Sequence, residues 1–332
     1  MVSKFNSSAN KEIVRRVWNA PLLEFLTTRF DKKLAYFGLP SPRAEDIHDW
    51  IDWIDFIVAF QCRDYPKPSD PSQSDEAIRQ LESNLNTLLR KKKINDYQLY
   101  DGYIEEVVMR GKDNVLQEFH LENFITLFNL DFCNEITVPQ YVYNDGTDKF
   151  EKVYKLHVIK KIIDLQRINN SHPERFVTFL TVNANFWKKE ASNYLTQILR
   201  EQIEPDFLKK IMRLKGVDRK VRVLKHYVYN SLSTFFCSNN YIPEFLPVVF
   251  YRGSGDQNLV QFCIICTYEA TMGNSSISRQ SFSHFLNQGF LTPDTEQNQM
   301  IPMISDHIDE IIPEINPIDI ITSANVYNEF WN

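Results

Sequence analysis

Glycine is scarce in this sequence, with only 9 glycines among 332 residues. Glycine allows the left-handed turns and close backbone approaches on which phosphate-binding loops depend, so few such loops can exist here. The segment 252–256 contains two of these glycines, but it lacks the strand–loop–helix order and the following Gly-Lys of a phosphate loop. We therefore expect a hairpin loop at 252–256.

Cysteines and long apolar runs are also few. Cys263 and Cys266 lie in one apolar run that predicts a strand, where residues three apart point to opposite faces, and no second pair completes a four-ligand site. We therefore expect no metal site. No apolar run approaches the roughly 20 residues that cross a bilayer. We also expect no secretory leader, and the five scattered cysteines favour the reducing cytoplasm.

Positive charge is in deficit, since the formal net charge is −6. Any contact with nucleic acid must therefore be local. The segment 209–225 carries eight cations and one acid. It predicts either a phosphate-binding patch that includes Lys210, Arg213, Arg219 and Lys220, or a pair of solvated amphipathic helices.

What the sequence has in quantity is apolar and aromatic residues, at 43% and 13%, which is enough for a folded core. Continuous apolar runs alternate with helical patterns through the first half, which predicts an α/β fold with a mostly parallel sheet. The predicted strands are Leu34–Leu39, Asp55–Phe60, Tyr97–Tyr100, Phe124–Phe132 and Phe176–Val182. Two later runs, Phe245–Tyr251 and Leu259–Tyr268, predict an antiparallel strand pair.

Helical spacing covers several other segments. Residues 10–30 predict a helix bent or divided at Pro21. Ser41 and Pro42 predict the N-cap and first turn of a second helix, on which Asp46, His48 and Asp49 are expected to form a solvated face. Further helices are predicted at about 75–93, 153–169, 188–203, 206–215 and 218–237.

The predicted domain organisation follows from this order. Residues 1–30 form an N-terminal helical segment, and 31–190 form a Rossmann-like domain with a hairpin insertion at 137–154. The turn signal Asn144-Asp145-Gly146 specifies that hairpin. A helical insertion at 191–240, a strand pair at 241–270 that completes the sheet and an acidic extension at 271–332 follow.

The order of elements resembles the Rossmann-fold S-adenosylmethionine-dependent methyltransferases. More narrowly, Leu34–Gln61 and Phe124–Asn134 resemble the three-Cys-motif partner family of methyltransferase-like proteins. The resemblance covers about residues 10–190 and implies S-adenosylmethionine as the cofactor. It also implies a bacterial system that handles foreign nucleic acid, such as an antiviral defence assembly, with a protein partner.

The resemblance also implies roles for particular residues. Gly38 occupies the loop that approaches the cofactor, Gln61 stands where an acid commonly holds the ribose, and Asp101 matches the acid near the adenine. Asn129 belongs to the cofactor site as well, and Asp131 and Asn134 would orient the methyl acceptor. Asp131 is also singled out by position, because a carboxylate directly after a buried strand lies either at the ligand-binding edge of an α/β sheet or in a capping role.

Two function classes fit the sequence. The first is a methyltransferase, whose reaction needs mainly proximity and alignment of the reactants. The second is a catalytically inactive scaffold that serves as a binding subunit of a larger assembly. Asp101 and the residues 129–134 at the end of the fourth predicted strand favour the enzyme. The loop 38–42, which has one glycine and two prolines, and Gln61 favour the scaffold.

Overall fold

The computed structural model describes residues 9–62, 76–132, 136–144, 146–166, 171–184, 209, 213, 216–246, 248–253, 257–269 and 314–315. The chain forms two compact units. The first comprises Met1–Phe132, Pro139–Pro173 and Asn316–Asn332, and the second comprises Cys133–Val138 and Glu174–Ile315. The described residues of each unit are considered in turn.

The first unit is built on a parallel sheet. Its strands are β1 (Leu34–Gly38), β2 (Ile54–Gln61), β3 (Asp96–Asp101) and β4 (Leu127–Asp131). They lie in the order β4-β1-β2-β3, and each neighbouring pair is parallel. The direction of winding reverses between β1 and β4, as in doubly wound nucleotide-binding folds. The mixed α/β class with a mostly parallel sheet, which the sequence predicts, is therefore confirmed.

Helices precede, connect and follow these strands. They are α1 (Ala9–Ile13), α2 (Ala20–Phe30), α3 (Glu45–Trp50), α4 (Glu76–Arg90), α5 (Ile104–Arg110) and α6 (Lys155–Leu165). Helix α4 buries Ile78, Leu81, Leu85 and Leu88. Their spacing of three, four and three residues places them on one face of the helix, which is why this helix is evident from the sequence.

The N-terminal helical segment contains a π-helical stretch, Val14–Asn19, between α1 and α2. Pro21 lies in the first turn of α2, where its missing amide hydrogen costs little. The predicted break at Pro21 is thus a π-helical stretch just before the proline, a usual way to absorb a disturbed hydrogen-bond ladder.

The predicted hairpin is confirmed as a separate two-stranded antiparallel sheet of β5 (Gln140–Asn144) and β6 (Lys149–Val153). One face of it carries aromatic side chains in solvent, with Tyr141 56% exposed and Phe150 70% exposed. Val142 and Val153 are buried on the other face. The alternation of exposed and buried residues is that of a half-covered ribbon.

The second unit is mostly antiparallel. Its elements are β7 (Arg175–Asn183), α7 (Gly216–Ser238), β8 (Tyr241–Phe245), β9 (Val248–Arg252), β10 (Asn258–Tyr268) and β11 (Glu314–Ile315). Strand β10 pairs antiparallel with β7, β8 and β9, while β11 pairs parallel with β9. Cys263 and Cys266 are both buried in β10.

Three local predictions need correction or fall outside the described residues. The predicted antiparallel strand pair is β9 and β10, but its first strand begins at Val248 and not at Phe245, which ends the separate strand β8. Ser41 does not cap a helix, because α3 begins at Glu45 after Ala44, whose φ of 51° is left-handed. The helix predicted at 188–203 lies outside the described residues. Among the described residues, no helix is both long and apolar enough to cross a membrane.

Gly38 is required by close packing between β1 and β4. A Cβ atom at this position would lie 2.4 Å from the Asn129 carbonyl oxygen and 2.7 Å from the Tyr36 hydroxyl oxygen. We predict that Gly38→Ala lowers the free energy of unfolding by about 3 kcal/mol, because a backbone carbonyl cannot retreat without moving β4. Urea denaturation measures the change. Gly146→Ala on the hairpin is the control, with an expected change under about 0.5 kcal/mol; equal losses in both variants would contradict the packing argument.

Candidate functional site

The carboxyl ends of the four parallel strands bring the predicted cofactor residues to one edge. Gly38, the last residue of β1, pairs in register with Asn129 of β4. Gln61 and Asp101, the last residues of β2 and β3, pair with each other. Asp131 ends β4. The structure thus assembles five of the six predicted cofactor and acceptor residues at the edge where α/β folds bind ligands, and Asn134 lies outside the described residues.

A buried polar cluster underlies this edge, formed by Tyr36, Asp46 and Asn129. The Tyr36 hydroxyl donates to Asp46 Oδ2 at 2.5 Å, and Asn129 Nδ2 donates to the same oxygen at 2.6 Å. Asn129 Nδ2 is also 3.3 Å from the Tyr36 hydroxyl. All three residues are buried. One carboxylate oxygen therefore joins β1, α3 and β4.

Burial governs the ionisation of this cluster. Desolvation raises the pKa of Asp46, while the hydrogen bond from Tyr36, the charge of Arg15 and the hydrogen bond from Asn129 lower it in part. Desolvation also raises the pKa of Tyr36 well above its ordinary value, and the charge of Asp46 adds to that shift. Tyr36 therefore remains a neutral hydrogen-bond donor at physiological pH.

The position of Asp46 corrects a sequence prediction, since this residue was expected on a solvated helix face. The left-handed Ala44 starts α3 later than Ser41 and Pro42 suggest, and Asp46 is 6% exposed. Of the other two residues on that predicted face, His48 is exposed. A signal for the cluster was present: Tyr36 and Asn129 are hydrogen-bonding residues inside apolar strands, and buried polar groups require partners.

Asp49 is also held by partners rather than left in solvent. Its two carboxylate oxygens accept from Arg15 Nε at 3.1 Å and Arg16 Nε at 3.0 Å. The Trp50 indole donates to the Arg15 carbonyl at 3.0 Å. The π-helical stretch is thereby fixed to α3.

The same N-terminal segment reaches Asp131. Lys11 Nζ lies 2.6 Å from Asp131 Oδ2, and both side chains are partly exposed, at 19% and 26%. Asp131 is therefore an ion-paired carboxylate at the end of β4. Sequence reasoning missed Lys11, because the two residues are 120 positions apart and no local pattern joins them.

The loop after β1 carries an unsatisfied hydroxyl. The Ser41 Oγ atom is buried and has no hydrogen-bond partner among the described residues. The Leu39 amide donates to the Asn129 carbonyl at 3.2 Å, and the Ala44 amide donates to the Ser41 carbonyl at 2.8 Å. This loop thus offers a hydroxyl group, where a glycine-rich loop would offer several backbone amides.

The ends of β2 and β3 form the other part of the edge. Gln61 Nε2 donates to the Cys62 carbonyl at 3.2 Å. Asp101 is 3% exposed. Gly102 follows it with a φ of 147°, which L side chains rarely adopt, and its amide donates to the Gln61 carbonyl at 3.2 Å. The turn at Gly102 thus closes the β2–β3 pair directly beside the candidate carboxylate.

The basic segment 209–225 is only partly a surface. Lys209 and Arg213 are exposed, and Lys220 is partly exposed. Lys225, the last cation of the segment, is fully buried in α7. It therefore lies neither on a solvated helix face nor on a phosphate-binding surface. Lys210 and the side chain of Arg219 lie outside the described residues. Within the described part of the chain, no three His, Cys, Asp or Glu side chains converge as metal ligands.

Comparison with known proteins gives distant likenesses to solved structures. No protein-family model and no curated protein matches the sequence. A Bacillus cereus O-methyltransferase in complex with S-adenosylhomocysteine is 8% identical, with 80% of this chain and 93% of that chain covered and a TM-score of 0.33. The Synechocystis magnesium protoporphyrin IX methyltransferase with bound S-adenosylhomocysteine is 6% identical, with 80% and 89% covered and a TM-score of 0.34.

A third solved structure is the Bradyrhizobium japonicum N-methyltransferase in complex with S-adenosylhomocysteine. It is 9% identical, with 78% of this chain and 98% of that chain covered and a TM-score of 0.33. All three are similar to this chain without assigning any of its residues.

Asp46 gives a prediction for stability and its pH dependence. Asp46→Leu removes the acceptor shared by Tyr36 and Asn129 and should cost about 2 to 4 kcal/mol, whereas Asp46→Asn keeps a carbonyl acceptor and should cost about 1 kcal/mol. Because the folded-state pKa of Asp46 is raised, the folded protein holds this proton more tightly than the unfolded chain does. Stability from this group is therefore present below the ordinary carboxyl pKa, about 3.9, and is lost as pH rises through the raised value.

Urea denaturation at several pH values from about 4 upward, where the ordinary carboxyl begins to ionise, measures both effects. The Asp46→Asn variant should lose that component of the pH dependence and otherwise follow the unmodified protein. An unchanged pH profile in Asp46→Asn, or equal stability of the Leu and Asn variants, would contradict the buried cluster.

Proposed function

We propose that this chain is a methyltransferase-like protein that binds S-adenosylmethionine along the carboxyl edge of β4-β1-β2-β3. The observation that carries the proposal is the convergence of Gly38, Gln61, Asp101 and Asn129 at the ends of four adjacent parallel strands. Gly38 and Asn129 flank the point between β1 and β4 where the winding direction reverses, and ligands of doubly wound folds bind at that point.

The donor set fits the chemistry of this cofactor. Its carboxylate needs a hydrogen-bond donor, and the Ser41 hydroxyl is buried at the first loop without a partner among the described residues. Its ribose hydroxyls suit the Gln61 amide, and its adenine amino group suits the Asp101 carboxylate. The space beside Gly38 is filled by the Asn129 carbonyl, so the first loop would contribute through Ser41 and not through that glycine.

The chain's own residues would bind and orient. The cofactor supplies a methyl group on a positively charged sulfur, and transfer needs mainly alignment with the acceptor atom. Asp131 would accept a hydrogen bond from the acceptor molecule, and Lys11 would hold that carboxylate in one orientation. Removing the ion pair should affect stability little, since partly exposed pairs contribute about 0 to 1 kcal/mol.

A second candidate is an inactive binding subunit. The observation in its favour is that the edge is already engaged: Asn129 bonds within the buried cluster, and Asp131 is paired with Lys11. In this alternative the fold serves as a scaffold for a protein partner within an assembly that handles foreign nucleic acid. Lys209 and Arg213, both exposed, would then contribute to a local phosphate-binding patch with Lys210, Arg219 and Lys220.

Calorimetric titration with S-adenosylmethionine and S-adenosylhomocysteine separates the two candidates. We predict binding by the unmodified protein and at least about tenfold weaker binding by the double variant Gln61→Ala, Asp101→Asn, since two polar contacts contribute about 1.4 kcal/mol or more together. Asp164→Asn, an exposed acid on α6, is the matched control and should leave affinity unchanged.

Asp131→Asn tests the catalytic part of the proposal. It should keep cofactor affinity and thermal stability while abolishing methyl transfer to an accepted substrate, because Asp131 is assigned to the acceptor and not to the cofactor.

The titration of the unmodified protein can also reject the first candidate. No heat of binding for either cofactor form at ~1 mM, a concentration that detects binding free energies of only about 4 kcal/mol, would do so and would leave the scaffold.

A further inference from the structure

A groove of about 780 Å³ runs along β3, the last strand of the parallel sheet in the first unit. Helix α4 contributes Glu82 and Asn86 to its lining, and the segment Asp113–Glu122 contributes its other side. Four consecutive residues of β3, Asp96–Leu99, line it between them. The groove therefore follows a strand edge, unlike a pocket at the end of a sheet.

The backbone of β3 has a free edge in this groove. The Gly102 amide donates to the Gln61 carbonyl of β2. Because the backbone groups of successive residues in a strand point to opposite sides, residues 98 and 100 also direct theirs to β2. Tyr97, Leu99 and Asp101 direct theirs away from β2. Asp113 Oδ2 accepts from the Asp101 amide at 3.1 Å, and the Asp101 carbonyl accepts from the Asn114 amide at 2.9 Å.

The loop that contains Asp113 and Asn114 therefore pairs with only Asp101, the last residue of β3. The Tyr97 amide is held by the neighbouring Asp96 carboxylate at 2.8 Å. The amide and carbonyl of Leu99 face the groove, and within the described residues no strand pairs with this side of β3. An exposed strand edge is a template for another extended chain.

The lining of the groove is acidic. It contains five carboxylates and one guanidinium group, that of Arg79; the carboxylates are those of Glu82, Asp96, Asp101, Asp113 and Glu122. His120 lies 3.2 Å from Glu122. Burial raises the pKa of the Tyr97 phenol, and the charges of Glu82 and Asp96 raise it further. An occupant with positive side chains is favoured by this field.

A hydrogen-bond acceptor in the lining is also unsatisfied. Gln98 Oε1 is buried and has no partner among the residues that the structure describes. A buried acceptor left without a donor carries a desolvation cost. A donor group on an occupant of the groove would remove that cost.

We propose that this groove binds an extended, lysine- or arginine-rich segment of a partner protein as an additional strand on β3. The free edge at Leu99 supplies backbone pairing, the carboxylates of Glu82 and Glu122 select positive side chains, and Gln98 Oε1 accepts a donor. Strand addition combines main-chain affinity with side-chain selection in this way. Leu99, Glu82 and Glu122, on which strand addition depends, are not among the residues assigned to the cofactor.

The probe is a fluorescein-labelled peptide of about ten residues, the usual upper length of a strand, in which lysine and valine alternate. Fluorescence anisotropy with the full chain at low salt should detect binding of this peptide, with affinity falling as salt rises. A peptide that alternates glutamate and valine should not bind. A lysine–valine peptide with N-methylated alternate amides should bind at least about tenfold more weakly, because it cannot pair with the strand edge.

A charge-reversed variant locates the binding. Glu82→Lys combined with Glu122→Lys, both exposed residues of the groove, should weaken binding at least about tenfold, corresponding to 1.4 kcal/mol or more. Glu24→Lys combined with Asp164→Lys makes the same change of charge at exposed residues outside the groove and should leave affinity unchanged.

Equal weakening by the two double variants would overturn the proposal, since binding would then follow only net charge. Equal affinity for the N-methylated peptide, or no binding of the lysine–valine peptide, would also overturn it. Thermal melting checks that the variants fold. If a variant does not fold, the comparison of the three peptides on the unmodified chain tests the proposal. Neither result depends on whether S-adenosylmethionine binds.

Discussion

A single carboxylate oxygen organises the candidate site. Asp46 Oδ2 accepts from Tyr36 of β1 and from Asn129 of β4, and Asp46 itself belongs to α3. Burying a carboxylate costs free energy unless hydrogen-bond donors surround it. The strands β1 and β4 and the helix α3 must therefore keep this arrangement for Asp46 to retain its donors. Arg15 lowers the pKa of Asp46 from the N-terminal side, against the larger effect of burial. The winding reversal between β1 and β4 is thus fixed by polar contacts as well as by apolar packing.

This constraint has two consequences for a bound cofactor. It holds β1 and β4 so close that the space beside Gly38 is taken by a backbone carbonyl. It also leaves the loop from Leu39 to Ala44 to interact through side chains, among them the unsatisfied Ser41 hydroxyl. A cofactor at this edge would therefore be recognised by side-chain hydrogen bonds more than by backbone amides. That mode differs from the glycine-loop recognition typical of dinucleotide folds.

The strands of the first unit and α4 could be predicted because their patterns are local. A continuous apolar run such as Ile54–Gln61, or buried residues at helical spacing as in α4, identifies an element without tertiary information. The position of the candidate residues at strand ends followed from the same runs. The sequence pattern also separated the hairpin from the sheet, because a strong turn signal divides two alternating segments.

What could not be predicted depends on contacts distant in sequence or on one backbone angle. The pairing of Lys11 with Asp131 spans 120 positions, and no periodicity encodes it. The burial of Asp46 depends on the left-handed Ala44, a conformation that alanine seldom adopts. Lys225 is buried despite its basic neighbours, because the apolar face of α7 includes its position. In each case tertiary structure overrides the local preference of the residue.

The thiol groups of the chain have a practical consequence for chemistry in solution. Burial raises the pKa of Cys237 to about 12 and the pKa values of Cys263 and Cys266 well above their ordinary range. These three thiols are therefore protonated and poorly nucleophilic at neutral pH. Cys62 is only partly buried and directly follows Gln61 at the end of β2. Among the described thiols it is thus the natural attachment point for a fluorescent label that reports on the sheet edge.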